Sequence, residues 1–303
     1  MPALLYAIIY ACVCVFLIAC IVRAVRYAKA PIHLRWELYP VPHEEPERVK
    51  HGGSYFESVD WWTKPRHFNL TGELKSMVPE MLFLKGLFEF NRKLWFRSFP
   101  FHFGLYLMIG SIGLLFVSAL LAFPAPILVF AYTATGAAGM VLAIIGAAAL
   151  LARRLTDRKL KSYTAPADIF NLLFFIVALG TVFAGSLFRE PGSPGAYVFM
   201  RGLLSFDTSV EMPGLLTAGL ILAAILVAYI PLTHMSHFIA KYFTYHSVRW
   251  DDQPNTRGGE IEKKLAEYLT YRPTWAAAHI AGDGTKTWVD VATTNPTQKA
   301  VRP

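Results

Sequence analysis

Residues 101–123 read FHFGLYLMIGSIGLLFVSALLAF and contain no Asp, Glu, Lys or Arg over 23 positions. Because about 20 apolar residues in a helix span the hydrocarbon core of a bilayer, this stretch predicts a transmembrane helix. Four further apolar stretches of spanning length lie at 4–22, 127–152, 169–188 and 214–242. Of the 303 residues, 54% are hydrophobic and 17% are charged, which excludes ordinary soluble, disordered and secreted disulfide-rich proteins. The sequence therefore predicts an all-α integral membrane protein with a five-helix bundle.

The basic residues predict the orientation of this bundle. With the N-terminus outside, segments 23–99, 153–166 and 241–303 are cytoplasmic and carry 13, 5 and 9 Lys or Arg residues. The outer segments carry only Arg189 and Arg201. Such a distribution follows the positive-inside rule, so we expect a multi-pass protein of the cytoplasmic (inner) membrane with its C-terminus inside. The net charge of +8 then reflects topology and contact with anionic lipid, and nucleic acid is not expected as a partner.

The first apolar run is interpreted as a retained helix. Ala-Lys-Ala at 28–30 loosely resembles a signal-peptide cleavage site, but no positive charge precedes the run and two arginines follow it directly. Cys12, Cys14 and Cys20 all lie in this run, without a CxxC pair or a neighbouring histidine. We interpret them as lipid-facing or packed residues rather than as a metal site.

Four parts of the chain follow from these patterns: the first transmembrane helix (1–25), a cytoplasmic and interfacial segment (26–99), a four-helix membrane core (100–243) and a cytoplasmic tail (244–303). Residues 32–65 are rich in Pro, Gly, Trp and charge, which predicts irregular but ordered structure. From Asn69 onward, apolar residues at helical spacing predict two short amphipathic helices on the inner membrane surface, interrupted at Pro79. The polar tail has one helical pattern, at 261–271, and is suited to wrapping a partner.

Three of the nine histidines fall at the membrane: His102 at the start of the second spanning helix, and His234 and His237 near the end of the fifth. An imidazole inside a bilayer costs a few kcal/mol unless it has a partner. His237 follows the outer start of its helix by a rise of about 35 Å, at about 1.5 Å per residue, which places it at the inner face with His102. Two imidazoles from two helices are the ligand set of a six-coordinate haem b. Interfacial histidines bonded to headgroups or backbone explain the pattern equally well.

Two questions stay open at this point. His234 and His237 are three residues apart and share a helix face, yet only one of them can pair with the single histidine of the second helix. Small residues on that helix, Gly104, Gly110 and Gly113, either leave room for a flat macrocycle or serve close helix packing.

Three motifs resemble the gamma subunit of respiratory nitrate reductase. They are FPFHFGL (99–105), RRLTDR (153–158) followed by Ser162 and Ala-Asp-Ile (167–169), and PLTHMSH (231–237). They occur in the family's order over about 99–250, and five helices with the N-terminus outside is that family's topology. The front motifs WELYP (36–40) and WWTKP (61–65) are similar to cytochrome b subunits of complexes whose partner resembles heterodisulfide reductase, as in sulfate reducers.

The resemblance implies that histidines of this chain ligate haem, but the chain differs from the family at one ligand pair. The family's second histidine pair falls on Ile112 and Gly219 here, and neither residue can ligate iron. The resemblance therefore implies one haem b, held by His102 and His237 near the cytoplasmic face, with the outer haem lost. His237 is preferred over His234 because it aligns with the family's final ligand.

Loss of the outer haem moves the expected quinone chemistry inward, where His234 and Lys241 are available for proton exchange with a quinone oxygen. His234 is thus either the alternative ligand or a quinone contact, and a bond to a backbone carbonyl is its simpler role. Asp168 is expected to stabilise the positive start of the fourth helix. The candidates for contacts to haem propionates or to the quinone are Arg97, Arg153, Arg154 and Lys241.

The leading hypothesis is a membrane cytochrome b subunit of a quinone-linked oxidoreductase, which is not a complete enzyme alone and carries no catalytic residue of its own. It exchanges electrons between menaquinone and a cytoplasmic iron-sulfur partner resembling heterodisulfide reductase, alongside further redox subunits. The chain has no cluster motif, Rossmann glycine pattern or nucleotide loop. The alternative is a haem-free membrane anchor for a soluble redox enzyme. A transporter is disfavoured because no charged residue occupies the midplane of any helix.

Overall fold

The computed structural model describes residues 2–30, 40–65, 68–273 and 284–294, and in these ranges the chain is helical with no β-strand. Residues 36–39 of the first front motif, together with His33, His67 and His279, lie outside the described residues. Single-turn segments occur at Tyr55–Glu57, Trp61–Thr63, Ile230–Leu232, His234–Ser236 and Tyr245–Arg249. The longer helices, in chain order, are α1 (Pro2–Ala28), α2 (Pro46–Lys50), α3 (Leu70–Phe83), α4 (Lys85–Phe90), α5 (Arg92–Leu120), α6 (Pro126–Thr156), α7 (Arg158–Lys161), α8 (Pro166–Leu187), α9 (Ala196–Ser205), α10 (Gly214–Tyr229), α11 (His237–Thr244), α12 (Glu260–Leu269) and α13 (Trp288–Thr293).

Five segments are long and apolar enough to cross a membrane, namely α1, α5, α6, α8 and the span Gly214–Leu232 that begins with α10. The predicted all-α membrane protein with five spanning segments is confirmed. Its orientation, with the N-terminus outside, stays a prediction. The three cysteines of α1 are free thiols that are exposed or half-buried, as their interpretation as lipid-facing or packed residues requires.

The chain divides into two compact units, Met1–Arg23 with Phe68–Phe238 and Ala24–His67 with Ile239–Pro303. In the first unit, side chains from α5, α6, α8 and α10 form the core, including Phe101, Ala143, Phe175 and Leu226. Phe101 and Phe175 meet edge to face with ring centroids 4.9 Å apart. This core therefore joins all four of the helices predicted to form the haem-binding part of the membrane domain.

Glycines bring the backbones of α5 and α6 into direct contact. A Cβ atom added to Gly104 would lie 2.6 Å from the carbonyl oxygen of Gly139, and one on Gly146 would collide with the backbone of Phe101. Since apolar side chains gain little by leaving lipid, close packing of small residues is what holds such helices together. Gly104 therefore serves helix packing, whereas an added Cβ on Gly110 or Gly113 meets no described atom within 4 Å.

The helix α9 was not anticipated from the sequence. Its Phe199 is buried against Tyr6 of α1, with ring centroids 5.8 Å apart, and Tyr10 donates a hydrogen bond to the carbonyl oxygen of Leu203. Arg201 donates to the carbonyl oxygen of Ala119 in the last turn of α5, at 3.1 Å. A ten-residue helix between two spanning segments thus fixes the start of α1 and caps the end of α5.

Two short helices precede α5, as predicted, but the break between them lies at Leu84 rather than at Pro79. Pro79 is inside α3, and Leu84 adopts φ 53° in the left-handed region. The carboxylate of Glu80 accepts a hydrogen bond from the N–H of Gly86 at 2.6 Å, which stabilises this turn. Exposed apolar residues on α3 and α4 agree with helices that lie on a membrane surface: Leu70, Leu74, Leu82, Phe83, Phe88 and Phe90.

The second unit contains part of the irregular segment and the beginning of the tail. Glu44 is buried and accepts hydrogen bonds from the Ser54 hydroxyl at 2.8 Å and the Tyr55 N–H at 3.3 Å. Nε2 of His43 lies 3.0 Å from the carboxylate of Asp252. Residues 40–65 are therefore ordered through side-chain contacts, as their composition predicts, and the tail helix predicted at 261–271 is present as α12.

The glycine contacts between α5 and α6 predict opposite effects for two Gly→Ala substitutions. Gly146→Ala should lower thermal stability in detergent by about 1–3 kcal/mol, because the added methyl group overpacks against Phe101. Gly113→Ala, the matched control in open space, should be neutral or stabilising by up to about 1 kcal/mol, since Ala is the better helix former. Thermal unfolding of both proteins measures the difference, and equal shifts would contradict the close contact.

Candidate functional site

The imidazole rings of His102 and His237 face each other with centroids 6.1 Å apart and planes inclined by 67°. His102 lies in the first half of α5, and His237 is the first residue of α11. An imidazole nitrogen binds a first-row metal at about 2.0 Å and lies about 1.1 Å from its ring centroid, so two axial imidazoles on one iron have centroids about 6.2 Å apart. The separation in the protein fits a bis-imidazole iron site. The two histidines therefore come together across the bundle, as predicted.

Hydrogen bonds within α5 orient the His102 ring. Its Nδ1 lies 2.8 Å from the carbonyl oxygen of Ser98 and 3.3 Å from the hydroxyl of the same residue. A carbonyl only accepts, so Nδ1 carries the proton and the lone pair is on Nε2. Metal-ligating histidines are usually oriented by such a bond through their second nitrogen. Ser98 therefore holds His102 in the tautomer that a metal requires.

The fifth span is broken where it carries the histidines. A continuous apolar run over 214–242 was expected to be one helix, and this is wrong: α10 ends at Tyr229, Thr233 is extended with φ −114° and ψ −176°, and α11 starts at His237. Pro231 has no N–H and its ring clashes with the preceding helical turn, which accounts for the end of the helix. As a result His237 contacts α5, whereas His234 contacts α8.

Arg23 of α1 stabilises this break. Its Nε donates a hydrogen bond to the carbonyl oxygen of Pro231. A backbone carbonyl released from a helix near the membrane must find another donor, and irregular backbone at such a depth occurs only where protein or water supplies one. This hydrogen bond joins the C-terminal part of α1 to the site.

His234 belongs to a polar network at the start of α8. Its Nε2 lies 3.5 Å from Oδ1 of Asp168 and 3.5 Å from the side-chain amide nitrogen of Asn171. The other carboxylate oxygen of Asp168 accepts from Arg154 at 3.1 Å and from the N–H of Ala165 at 3.0 Å, so Asp168 stabilises the helix start as expected. Asn171 is 4% exposed and accepts a hydrogen bond from the Tyr229 hydroxyl at 2.9 Å. The His234 side chain is 63% exposed, so the network has one open end.

The basic residues proposed for propionate or quinone contacts have varied surroundings. Arg153 pairs with Asp157 at 3.8 Å, and Arg154 pairs with Asp168. Arg97 donates to the carbonyl oxygen of Lys93 at 3.0 Å. Lys241 lies one turn after His237 in α11, with its ammonium 5.9 Å from the ring centroid of Tyr245. In the described ranges, no group of three or more His, Cys, Asp or Glu residues could hold a metal ion.

The family model of the nitrate reductase gamma subunit matches residues 86–251, which is more than half of the chain. The chain belongs to the nitrate reductase gamma subunit family. This is a family of membrane cytochrome b subunits, so the protein is a membrane subunit of a respiratory oxidoreductase that associates with other redox subunits. The matched residues run from Gly86 in α4 to Asp251, two residues after the single-turn segment Tyr245–Arg249, and include all three membrane histidines. No match was found among curated proteins or among solved structures.

Within this nitrate reductase gamma-type chain, the two positions implied for a second ligand pair differ: position 112 is exposed, and position 219 is closed by packing. Ile112 of α5 is 55% exposed on the bundle surface. A Cβ atom on Gly219 of α10 would lie 2.7 Å from the backbone nitrogen of Val182 in α8. A Cβ atom added to Gly185 of α8 would likewise lie 2.7 Å from Cα of Leu216 in α10. The two helices touch where a second iron ligand would have to project.

Several residues of the site were missed from the sequence. Asn171 is a polar residue near the start of an otherwise apolar run, which was a usable signal for a buried hydrogen bond. Ser98 stands four residues before His102, the spacing of one helical turn. Arg23 and Tyr229 carried no signal, because their roles depend on contacts with distant parts of the chain.

The contact of Arg23 with the broken helix predicts a selective loss of stability. Arg23→Ala should destabilise the detergent-solubilised protein by about 1.5–3 kcal/mol, the usual contribution of a hydrogen bond to a charged group. Arg26→Ala removes an exposed arginine one turn further along α1 and serves as the control, with an expected change below about 0.5 kcal/mol. Differential scanning of both variants measures the effect. If both lose the same stability, the hydrogen bond to Pro231 does not support the break.

Proposed function

We propose that this protein is a membrane cytochrome b subunit with a single haem b, whose axial ligands are His102 and His237. The observation that carries the proposal is the separation of the two rings, which fits two axial imidazoles on one iron. The hydrogen bond from His102 Nδ1 to Ser98 supports it, because it leaves the lone pair on Nε2. A bis-imidazole haem supplies one-electron transfer without an open iron position for oxygen.

Packing supports one haem rather than two. A histidine at position 219 has no space between α8 and α10, and position 112 faces away from the other helices. Electron transfer is therefore proposed to take place at the end of the bundle that holds His102 and His237, which the basic residues predict to be cytoplasmic.

His234 is proposed as a contact to a menaquinone headgroup rather than as an iron ligand. Its Nε2 lies near Asp168 and Asn171, while His237 is the residue that faces His102. The exposed part of its side chain is available to a quinone oxygen, with which an imidazole can exchange a proton. Contacts of Arg97, Arg153, Arg154 and Lys241 with propionates or with the quinone stay predictions.

The proposed partner is a cytoplasmic iron-sulfur subunit resembling heterodisulfide reductase. Support comes from the second unit, where the WWTKP motif at 61–65 belongs to a folded segment and not to an unstructured loop. Trp62 and Val59 of this segment are exposed apolar side chains, which are typical of protein interfaces. Electrons would pass between menaquinone and this partner in either direction, since ligand identity does not fix the direction.

The ligand assignment is tested by the reduced-minus-oxidised spectrum of the purified protein. A b-type alpha band is expected, and His102→Ala and His237→Ala should each abolish haem incorporation, because one imidazole cannot hold the iron in a six-coordinate state. His51→Ala, at an exposed histidine of the second unit, should retain full haem. A colourless wild-type preparation would favour a haem-free anchor, and full haem in both ligand variants would refute the assignment.

The quinone contact is tested separately at His234. His234→Ala should keep the haem spectrum but slow reduction by a menaquinol analogue by about 100-fold, the lower range of general acid–base effects. Stopped-flow absorbance at the alpha band measures the rate. Loss of haem in this variant would identify His234 as the ligand instead.

A further inference from the structure

The Nε2 atom of His234 faces two groups with opposite requirements. Asp168 carries an ionised carboxylate paired with Arg154, and a carboxylate accepts hydrogen bonds, so it requires a proton on Nε2. Asn171 uses its amide oxygen to accept from Tyr229, so its amide nitrogen faces Nε2 and requires a lone pair there. One nitrogen cannot satisfy both at once. Nε2 of His234 can therefore donate to Asp168 when it carries a proton and accept from Asn171 when it does not. Both partners lie 3.5 Å away.

We propose that Asp168 is the proton acceptor behind His234, so that protons exchanged with the quinone pass to the end of the bundle where Arg154 and Asp168 lie. This inference rests on the proposed function, in which His234 contacts the quinone. Asp168 acts through His234, which it positions and from which it accepts a proton. When Nε2 is deprotonated, Asn171 holds the ring, and Tyr229 in turn orients Asn171.

The proposed relay moves one proton at a time from the quinol to water. Oxidation of a quinol releases two electrons and two protons. A quinol hydroxyl gives its proton to Nδ1 of His234, and the proton on Nε2 moves to Oδ1 of Asp168. Asp168 then releases it to water, and the ring returns to its first tautomer before the second proton follows the same route. A haem held by His102 and His237 would take up the two electrons one at a time and pass them to a soluble acceptor, and quinone reduction would be the reverse.

The charges around Asp168 suit this role. Arg154 from α6 pairs with Oδ2 of the carboxylate, so Oδ1 is the oxygen that faces Nε2 of His234. The side chain of Asp168 is 15% exposed, so it retains contact with solvent. Arg153 and Asp157 form a neighbouring pair of the same composition, at 3.8 Å, whose contact does not involve His234. This pair therefore provides a matched comparison.

The network lies at the same end of the bundle as the two proposed haem ligands. Arg154 ends α6, Asp168 begins α8 and His234 follows α10, so all three lie at the same end of the first unit as His102 and His237. Electrons and protons would then enter and leave at one membrane surface. Turnover would transfer no net charge across the bilayer.

The relay is tested with the haem-loaded full chain and menadiol, a soluble naphthoquinol. Asp168→Asn keeps an oxygen for the N–H of Ala165 but cannot take up a proton. It should retain the haem spectrum and lower kcat for menadiol oxidation by about 100-fold with little change in KM. Asp168→Glu should recover the rate to within about fivefold, and the control Asp157→Asn should match the wild type. A wild-type rate in Asp168→Asn, with wild-type haem content, would overturn the relay.

A second measurement needs no substitution. Wild-type protein in vesicles is oxidised by external ferricyanide, which does not cross the bilayer and so selects molecules with the haem end outward. For each menadiol that is oxidised, two protons should appear outside the vesicles, and a pH dye trapped in the lumen should show no change. Acidification of the lumen would overturn the inference, even if Asp168→Asn failed to fold. Failure of menadiol to reduce the wild-type protein would instead refute the proposed function.

Discussion

A polar group that leaves water at a membrane must find its partner inside the protein, and this constraint explains how the site is built. The break at Pro231 leaves a backbone carbonyl without its helical donor, and Arg23 supplies one. His102 bonds to the turn before it, and Asn171 bonds to Tyr229. Two of these contacts, Arg23 with Pro231 and Asn171 with Tyr229, join different spanning segments near the three histidines. The demand for hydrogen bonds therefore organises this end of the bundle.

Close packing of small residues is the second constraint on the bundle. Gly219 and Gly185 bring α10 and α8 into backbone contact, and Gly104 with Gly139 does the same for α5 and α6. Neither set of contacts involves a hydrogen bond or a charge. The protein thus combines a polar cluster around the histidines with a contact between α8 and α10 that leaves no space for a side chain at position 219. The proposed single redox centre follows from this division.

Much of this structure was accessible from the sequence, for reasons that are local. Charge-free runs mark spanning helices whatever their neighbours, and counting residues along the fifth run was enough to bring His237 to the level of His102. The break at Pro231 was missed because the run stays apolar through it, and the interruption placed at Pro79 was wrong because the chain turns at Leu84. The helix α9 and the contact of Arg23 depend on residues far away in the chain, which periodicity does not encode.

The contact at Gly219 also bears on the history of the chain. If an ancestor carried a histidine there, its replacement by glycine let α8 and α10 close to the distance seen now. Restoring the imidazole alone would drive a side chain into the backbone of Val182, and a partner at Ile112 would still be lacking. No single reversion would then be neutral, and epistasis between positions 112 and 219 would favour the glycine.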